Sequence, residues 1–215
     1  MSNGFVIRHV VSIAGCVREQ PSTGIPLSPR ENERRLAGAI IEIIAGPPAF
    51  ETLRAAWALD PARRSARPDR TTSETDGVYF FTGLPPGTYR LRVSAPEYGS
   101  RFGVFEADAI DVPPAAEFGH EVSVTRVDVE LPSTRVRGVV TRSDSGASVA
   151  SGVVRVRADP QSTHTDDAGR YELRRLVQGR TTLEISAPNL ALARATVHLV
   201  PGQEQVLDIQ LDPAS

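Results

Sequence analysis

An all-β chain of two tandem β-sandwiches is what this sequence predicts, and three observations carry that expectation. Gly77 to Pro96, GVYFFTGLPPGTYRLRVSAP, lies without a gap on Gly169 to Pro188, GRYELRRLVQGRTTLEISAP. The offset is a constant 92 residues and eight of the twenty positions are identical, which marks two copies of one unit. Short apolar runs recur with period two: Val154 and Val156 are set to point inward with Arg155 and Arg157 outward, and Leu183 and Ile185 inward opposite Thr182 and Glu184. Gly, Pro, Asp and Ser separate these runs with almost no helical period between them, the pattern of a sandwich. The 215 residues leave room for two domains of about 100 residues each, enough for a core in both.

The elements follow in order. Val11 to Arg18 (VSIAGCVR) is a strand whose counterpart is Arg135 to Arg142 (RVRGVVTR), matched through Gly15 and Gly138. Gly38 to Ile43 (GAIIEI) is matched to Gly152 to Arg157 (GVVRVR). Ala49 to Leu59 (AFETLRAAWAL) has helix-forming composition, with Phe50, Leu53 and Trp57 on one face, Pro47-Pro48 before it and Pro61 after it. Pro61 to Thr72, with Arg63, Arg64, Arg67 and Arg70, is expected as an exposed loop. Thr75-Asp76-Gly77 and Asp166 to Gly169 offer residues that accept positive φ, and Leu84-Pro85-Pro86-Gly87 makes a proline-fixed turn. Tyr98 to His120 is expected as a long loop, and Val127 to Leu131 (VDVEL) as a last strand answering Leu207 to Leu211 (LDIQL).

Composition excludes several chemistries. All 24 basic residues are arginine, so no lysine amine is available for a Schiff base or an isopeptide crosslink. Cys16 is the only cysteine, which rules out an intrachain disulfide. A net charge of -2 with interspersed signs and no basic stripe with interleaved aromatics argues against a nucleic-acid partner. The start, MSNGFVIRHVVSIAG, lacks the regions of an export signal, and no apolar run is long enough to span a bilayer. The expected location is the cytoplasm or an intracellularly assembled particle, with no membrane partner.

The motif residues resemble a known family. A first strand bearing a Gly, then Thr75-Asp76-Gly77-Val78-Tyr79-Phe80-Phe81, then Gly83-Leu84-Pro85-Pro86-Gly87-Thr88-Tyr89 running on to Ser94-Ala95-Pro96 and Tyr98, is similar to the carboxypeptidase regulatory-like domain. The second copy is more divergent: Val177-Gln178 stands where Pro85-Pro86 would be, Thr181 replaces Tyr89, and Leu190 falls near the position of Tyr98. The resemblance implies two tandem seven-stranded Ig-like, prealbumin-like sandwiches. It also implies a folding, spacing or docking role without catalysis, since the module is attached to many unrelated functions. The domains are then 1–132, with insertions at about 21–32, 46–70 and 98–120, and a minimal 133–215.

Those insertions are where function is sought. From Gly38 to Gly77 the first copy takes 39 residues where the second takes 17 from Gly152 to Gly169. The inserted helix either caps the sandwich or meets a partner, and Phe102, Phe105, Ile110 and Phe118 on the last insertion are either packed down or presented. Candidate partner-binding residues are Phe50, Leu53, Trp57, Phe102 and Phe105. No catalytic, cofactor or metal residue is expected. His9, His120, His164 and His198 lack ligand spacing; Asp166-Asp167 suits a turn better than a calcium loop; Cys16 suits a small buried thiol; no nucleophile elbow or phosphate loop occurs. The enzymes of the prealbumin-like fold carry signatures that are missing, since the chain ends Leu-Asp-Pro-Ala-Ser. The expected function is therefore a non-catalytic structural and protein-interaction module in a larger assembly, for example a phage, capsid-decoration or phage-tail-like particle. Its expected partners are other protein subunits, with no small-molecule ligand. The alternatives are a cell-surface adhesion or carbohydrate-binding protein, or an accessory domain of an enzyme.

Overall fold

The computed structural model describes residues 10–21, 35–59, 67–114 and 124–214. The chain forms two units, Met1–Glu97 with Val104–Leu131, and Tyr98–Gly103 with Pro132–Ser215. Strands of the first unit are β1 (Val11–Glu19), β2 (Ile40–Ala45), β3 (Arg70–Thr72), β4 (Val78–Thr82), β5 (Gly87–Ser94), β6 (Phe105–Val112), β7 (Thr125–Arg126) and β8 (Val129–Leu131), and helix α1 (Pro48–Leu59) lies between β2 and β3. β1 pairs antiparallel with β4 and parallel with β7 and β8; the other sheet runs β3-β2-β5-β6, all antiparallel.

The second unit repeats this strand for strand: β9 (Arg135–Arg142), β10 (Val153–Val156), β11 (Ser162–His164), β12 (Arg170–Leu173), β13 (Gly179–Ser186), β14 (Ala193–Leu199), β15 (Glu204–Val206) and β16 (Ile209–Leu211). Its sheets run β12-β9 with β15 and β16 on β9, and β11-β10-β13-β14. Counting each broken last strand once, both units are seven-stranded, and both are β-sandwiches. Inward positions fill the cores. Ile13, Val17, Tyr79, Ile41, Leu91 and Val93 are buried in the first, and Val136, Val140, Tyr171, Val154, Leu183 and Ile185 in the second.

The same local device breaks the last strand in both copies. The hydroxyl of Tyr79 donates to the carbonyl of Val127 at 2.7 Å, and Asp128 Oδ1 accepts the Cys16 amide at 3.0 Å. Tyr171 donates to the carbonyl of Leu207 at 2.7 Å, and Asp208 accepts the Val139 amide at 2.9 Å. The Val127 and Leu207 carbonyls and the Cys16 and Val139 amides thus each keep a partner at the kink. It also presses the chain against the first strand, where a Cβ on Gly15 would lie 1.7 Å from the Val127 oxygen and one on Gly138 2.0 Å from that of Leu207. Only glycine fits there. Burial raises both tyrosine pKa values above the ordinary phenol range, with help from the nearby Asp128 and Asp208 charges. Both phenols are therefore held as donors.

Four expectations need correction. Ile40 faces Ser94 as Val153 faces Ser186, so Gly38 corresponds to Ser151 rather than Gly152. Both are left-handed, at φ 68° and 56°. A slip of one residue would have placed Ile41, which is buried, opposite the exposed Arg155. Arg70–Thr72 is the edge strand β3 rather than loop, equivalent to β11. Phe105–Val112 is β6, a full strand of the sheet, not part of an added loop. Glu184, expected outward in water, is buried beneath three arginines. Pro61–Ala66, most of Pro21–Asn32, His9, His120 and Phe118 lie outside the described residues.

Candidate interface surfaces

Helix α1 starts at Pro48, where a missing amide hydrogen costs nothing. Glu51 in the first turn accepts the Gly46 amide at 3.0 Å and pairs with Arg54. Phe50 is fully buried, with its ring edge-on to Tyr89 at 5.3 Å and to Trp57 at 6.0 Å, and Arg54 stands 5.8 Å over it. Tyr89 in turn donates to the Pro85 carbonyl at 2.6 Å, and burial pushes its pKa up to about 12. Phe50 is the helix's one buried side chain, and Arg54 adds hydrogen bonds at 3.4 Å to the Ile43 and Ile44 carbonyls. Trp57 is half-buried, Leu53 is 40% exposed and Leu59 84% exposed.

The second unit has no such helix. At the equivalent place, where Thr181 stands for Tyr89, it keeps an open cleft of about 500 Å³ among Val156, Leu176, Val177, Thr181, Arg157 and Arg180. In the first unit Tyr89, the counterpart of Thr181, is buried and packs on Phe50.

The other candidates are dispersed. Phe102 is buried within the second unit, edge-on to Tyr98 at 5.4 Å and under the Arg175 guanidinium at 5.5 Å, with a backbone bridge to Ser133. Around it Ser100 accepts the Gln178 amide and the Thr134 hydroxyl, and Arg101 donates to the Arg175 carbonyl at 2.5 Å. Phe105 opens β6, half-buried, opposite Val93. Of the five, the structure brings Phe50 and Trp57 together and leaves Leu53 the most open.

Two charged sheet faces carry information that reasoning from the sequence missed. On β10, β13 and β14 of the second unit, Arg155 donates to Glu184 at 2.5 and 2.9 Å, Arg194 at 3.0 Å, and Arg157 stands 3.8 Å away. Those hydrogen bonds hold the Glu184 carboxyl below its usual range against a smaller opposing effect of burial. Three arginines thus share one carboxylate, and Arg180, opposite His198, adds a fourth exposed arginine to the same sheet. At the equivalent positions the first unit reverses the signs. Arg92 takes the place of Glu184, with Glu106 at 2.8 Å, and Glu42 and Glu106 stand where Arg155 and Arg194 do. Arg90 adds a bond to Asp108 at 2.5 Å. Overall the first unit has 13 arginines and 17 carboxylates, a formal -4, and the second 11 and nine, a formal +2. The signal is legible once the two copies are aligned in register.

Among the described residues no three His, Cys, Asp or Glu side chains group as metal ligands, and no helix is long and apolar enough to cross a membrane. Asp166 accepts the amides of Ala168 and Arg170 and so shapes its turn. His164 and His198 are exposed on the sheet and Cys16 is buried.

No curated protein matches the chain. Among solved structures, the shaft pilin SpaA from Lactobacillus rhamnosus GG is 10% identical over 96% of this chain and 98% of that one, with a TM-score of 0.40. A type II cohesin-X-dockerin complex from Acetivibrio cellulolyticus is 19% identical over 36% and 53%, with a TM-score of 0.30. The Bacillus anthracis TIE protein is 12% identical over 95% and 34%, with a TM-score of 0.33. The first copy carries the Thr75–Tyr98 motif but interrupts its surroundings with insertions; the uninterrupted second copy, residues 135–212, matches the model of the carboxypeptidase regulatory-like domain.

Proposed function

We propose that this chain is a non-catalytic structural and protein-interaction protein, a tandem β-sandwich docking and spacer module of a larger assembly. The observation that carries this reading is α1: it is present only in the first copy, buries Phe50 as its one fully covered side chain, and turns Leu53 and Leu59 outward. Apolar side chains on a helix that the common fold does without suit a partner contact. The family match on the second copy supports a supporting role for that unit. The assembly is proposed to be an intracellularly formed particle such as a phage or phage-tail-like structure, with a cell-surface assembly as the competing setting.

Density-gradient fractionation of native extract tests the reading. The wild-type protein is expected in fractions well above its 23.2 kDa mass together with a constant set of other proteins. Leu53→Asp with Leu59→Asp is expected to release it while its melting is unchanged. Wild type running alone at its own mass overturns the proposal, and co-fractionation with envelope instead of particles selects the surface setting.

A further inference from the structure

The two units end their equivalent four-stranded sheets with edge strands of opposite charge. β6 bears Glu106, Asp108 and Asp111 on its exposed positions, and β14 bears Arg194, Thr196 and His198 at the matching ones. Glu106 faces Arg92 as Arg194 faces Glu184, and Asp111 faces Thr88 as His198 faces Arg180. Behind β14 stand Arg155, Arg157 and Arg180, in excess over Glu184. Behind β6, Arg90 and Arg92 engage two of its three carboxylates, and Asp111 accepts the Thr88 hydroxyl at 2.7 Å.

β14 pairs with β13 without a register break from Gly179–Leu199 to Ile185–Ala193, and it contains neither proline nor a bulge. Its outer edge is a straight template for another strand. Among the described residues no strand pairs with the outer edge of β6 over Phe105–Asp108; beyond that, a register shift, Ala109 at φ 57° and the Thr125 hydroxyl on the Asp111 carbonyl interrupt it.

We propose that β14 of one molecule pairs edge to edge with the Phe105–Asp108 stretch of β6 in a second copy, so that the chain associates head to tail. Like edges repel, since β6 on β6 opposes carboxylates and β14 on β14 brings together two faces on which Arg155, Arg157 and Arg194 outnumber Glu184. The mixed pairing sets Arg194 beside Glu106 or Asp108 and joins two sheets of the same construction. The contact is heterologous, using different patches on the two partners. This inference rests on the reading of the chain as an interaction protein and names a second copy as one partner.

Sedimentation velocity on the purified full chain tests it in about 0.01 M and about 1 M salt, between which the screening length falls from about 30 to about 3 Å. At low salt the mean mass is expected to rise above 23.2 kDa with concentration, and at high salt to fall back. Glu106→Arg with Asp108→Arg, and separately Arg194→Glu with His198→Glu, are each expected to stay single. An equimolar mixture of the two is expected to associate again, because the unaltered β14 of the first meets the unaltered β6 of the second and the two reversed edges are once more opposite in charge. A wild type that is single at every concentration and salt, variants that associate as wild type does, or a mixture that stays single overturns the proposal. Circular dichroism melts confirm that each variant folds; if a reversal does not fold, Glu106→Gln with Asp108→Asn or Arg194→Gln with His198→Gln replaces it. The gradient of native extract reports on other proteins, so a failure here leaves that separate result standing.

Discussion

Glycine and tyrosine at the kinked last strand show how much rests on single atoms. In Tyr171→Phe the partly buried Leu207 carbonyl, which accepts the phenol at 2.7 Å, loses its donor, at a cost of about 1–3 kcal/mol. Tyr79→Phe should cost the first unit the same. Gly138→Ala is expected to cost more, about 4 kcal/mol or above, since its methyl would overlap a backbone oxygen that cannot retreat without breaking the kink. Urea unfolding of the three variants checks the ranking. Glu184 gives a pH signature. Hydrogen bonds from Arg155 and Arg194 lower its folded pKa, so its contribution is complete above the unfolded value of about 4.3 and is lost as pH falls through the folded one. The melting temperature should therefore drop on acidification below about pH 4, and less steeply in Glu184→Gln. The sequence made this scale partly legible. Gly15 and Gly138 were matched correctly because a close approach admits no other residue. Gly38 aligns with Gly152 by pattern and residue type, whereas the left-handed turn at Gly38 is filled in the second copy by Ser151; identity of residue type was the misleading signal.

At the scale of elements, α1 was legible because Phe50, Leu53 and Trp57 fall on one face and prolines bracket them. What spacing could not decide is which of the three finds a ring to pack on. Tyr89 supplies it to Phe50, and no residue of the described chain covers Leu59. Phe50→Ala is accordingly expected to cost about 3–5 kcal/mol, while Leu53→Asp should stay within about 0.5 kcal/mol. Thermal melts of both variants, compared with their behaviour in the gradient, separate anchoring from docking. β6 was hidden because FEADAIDV is rich in Ala, Asp and Glu, residues depleted in strands. An edge position explains that composition, since charge there costs little and discourages random pairing. β3 was hidden for a different reason: three residues, Arg70–Thr72, are too few for a period to show.

The whole molecule is less neatly divided than its repeat. The chain leaves the first unit after Glu97, contributes Tyr98–Gly103 to the second, returns for β6 to β8, and enters the second unit finally at Pro132. A fragment of residues 133–215 contains all of the strands β9 to β16 and all of the family match, yet it lacks that borrowed segment. Thr134 would lose the Arg101 and Ser100 carbonyls, Gln178 would lose the Ser100 hydroxyl, and Arg175 would lose both Arg101 and the ring of Phe102. The fragment is expected to fold, because its core of Val136, Val140, Tyr171, Leu183 and Ile185 is intact. It should nevertheless melt below the second unit of the full chain, with faster amide exchange at Thr134 and Gln178. Each uncovered group returns to solvent rather than to a buried void, so the expected loss is about 1 kcal/mol per bond at most. Calorimetry of fragment and full chain, with exchange measured at those two amides, checks this. Equal melting and equal protection would mean that the second copy is self-sufficient and that Tyr98–Gly103 only rests on it.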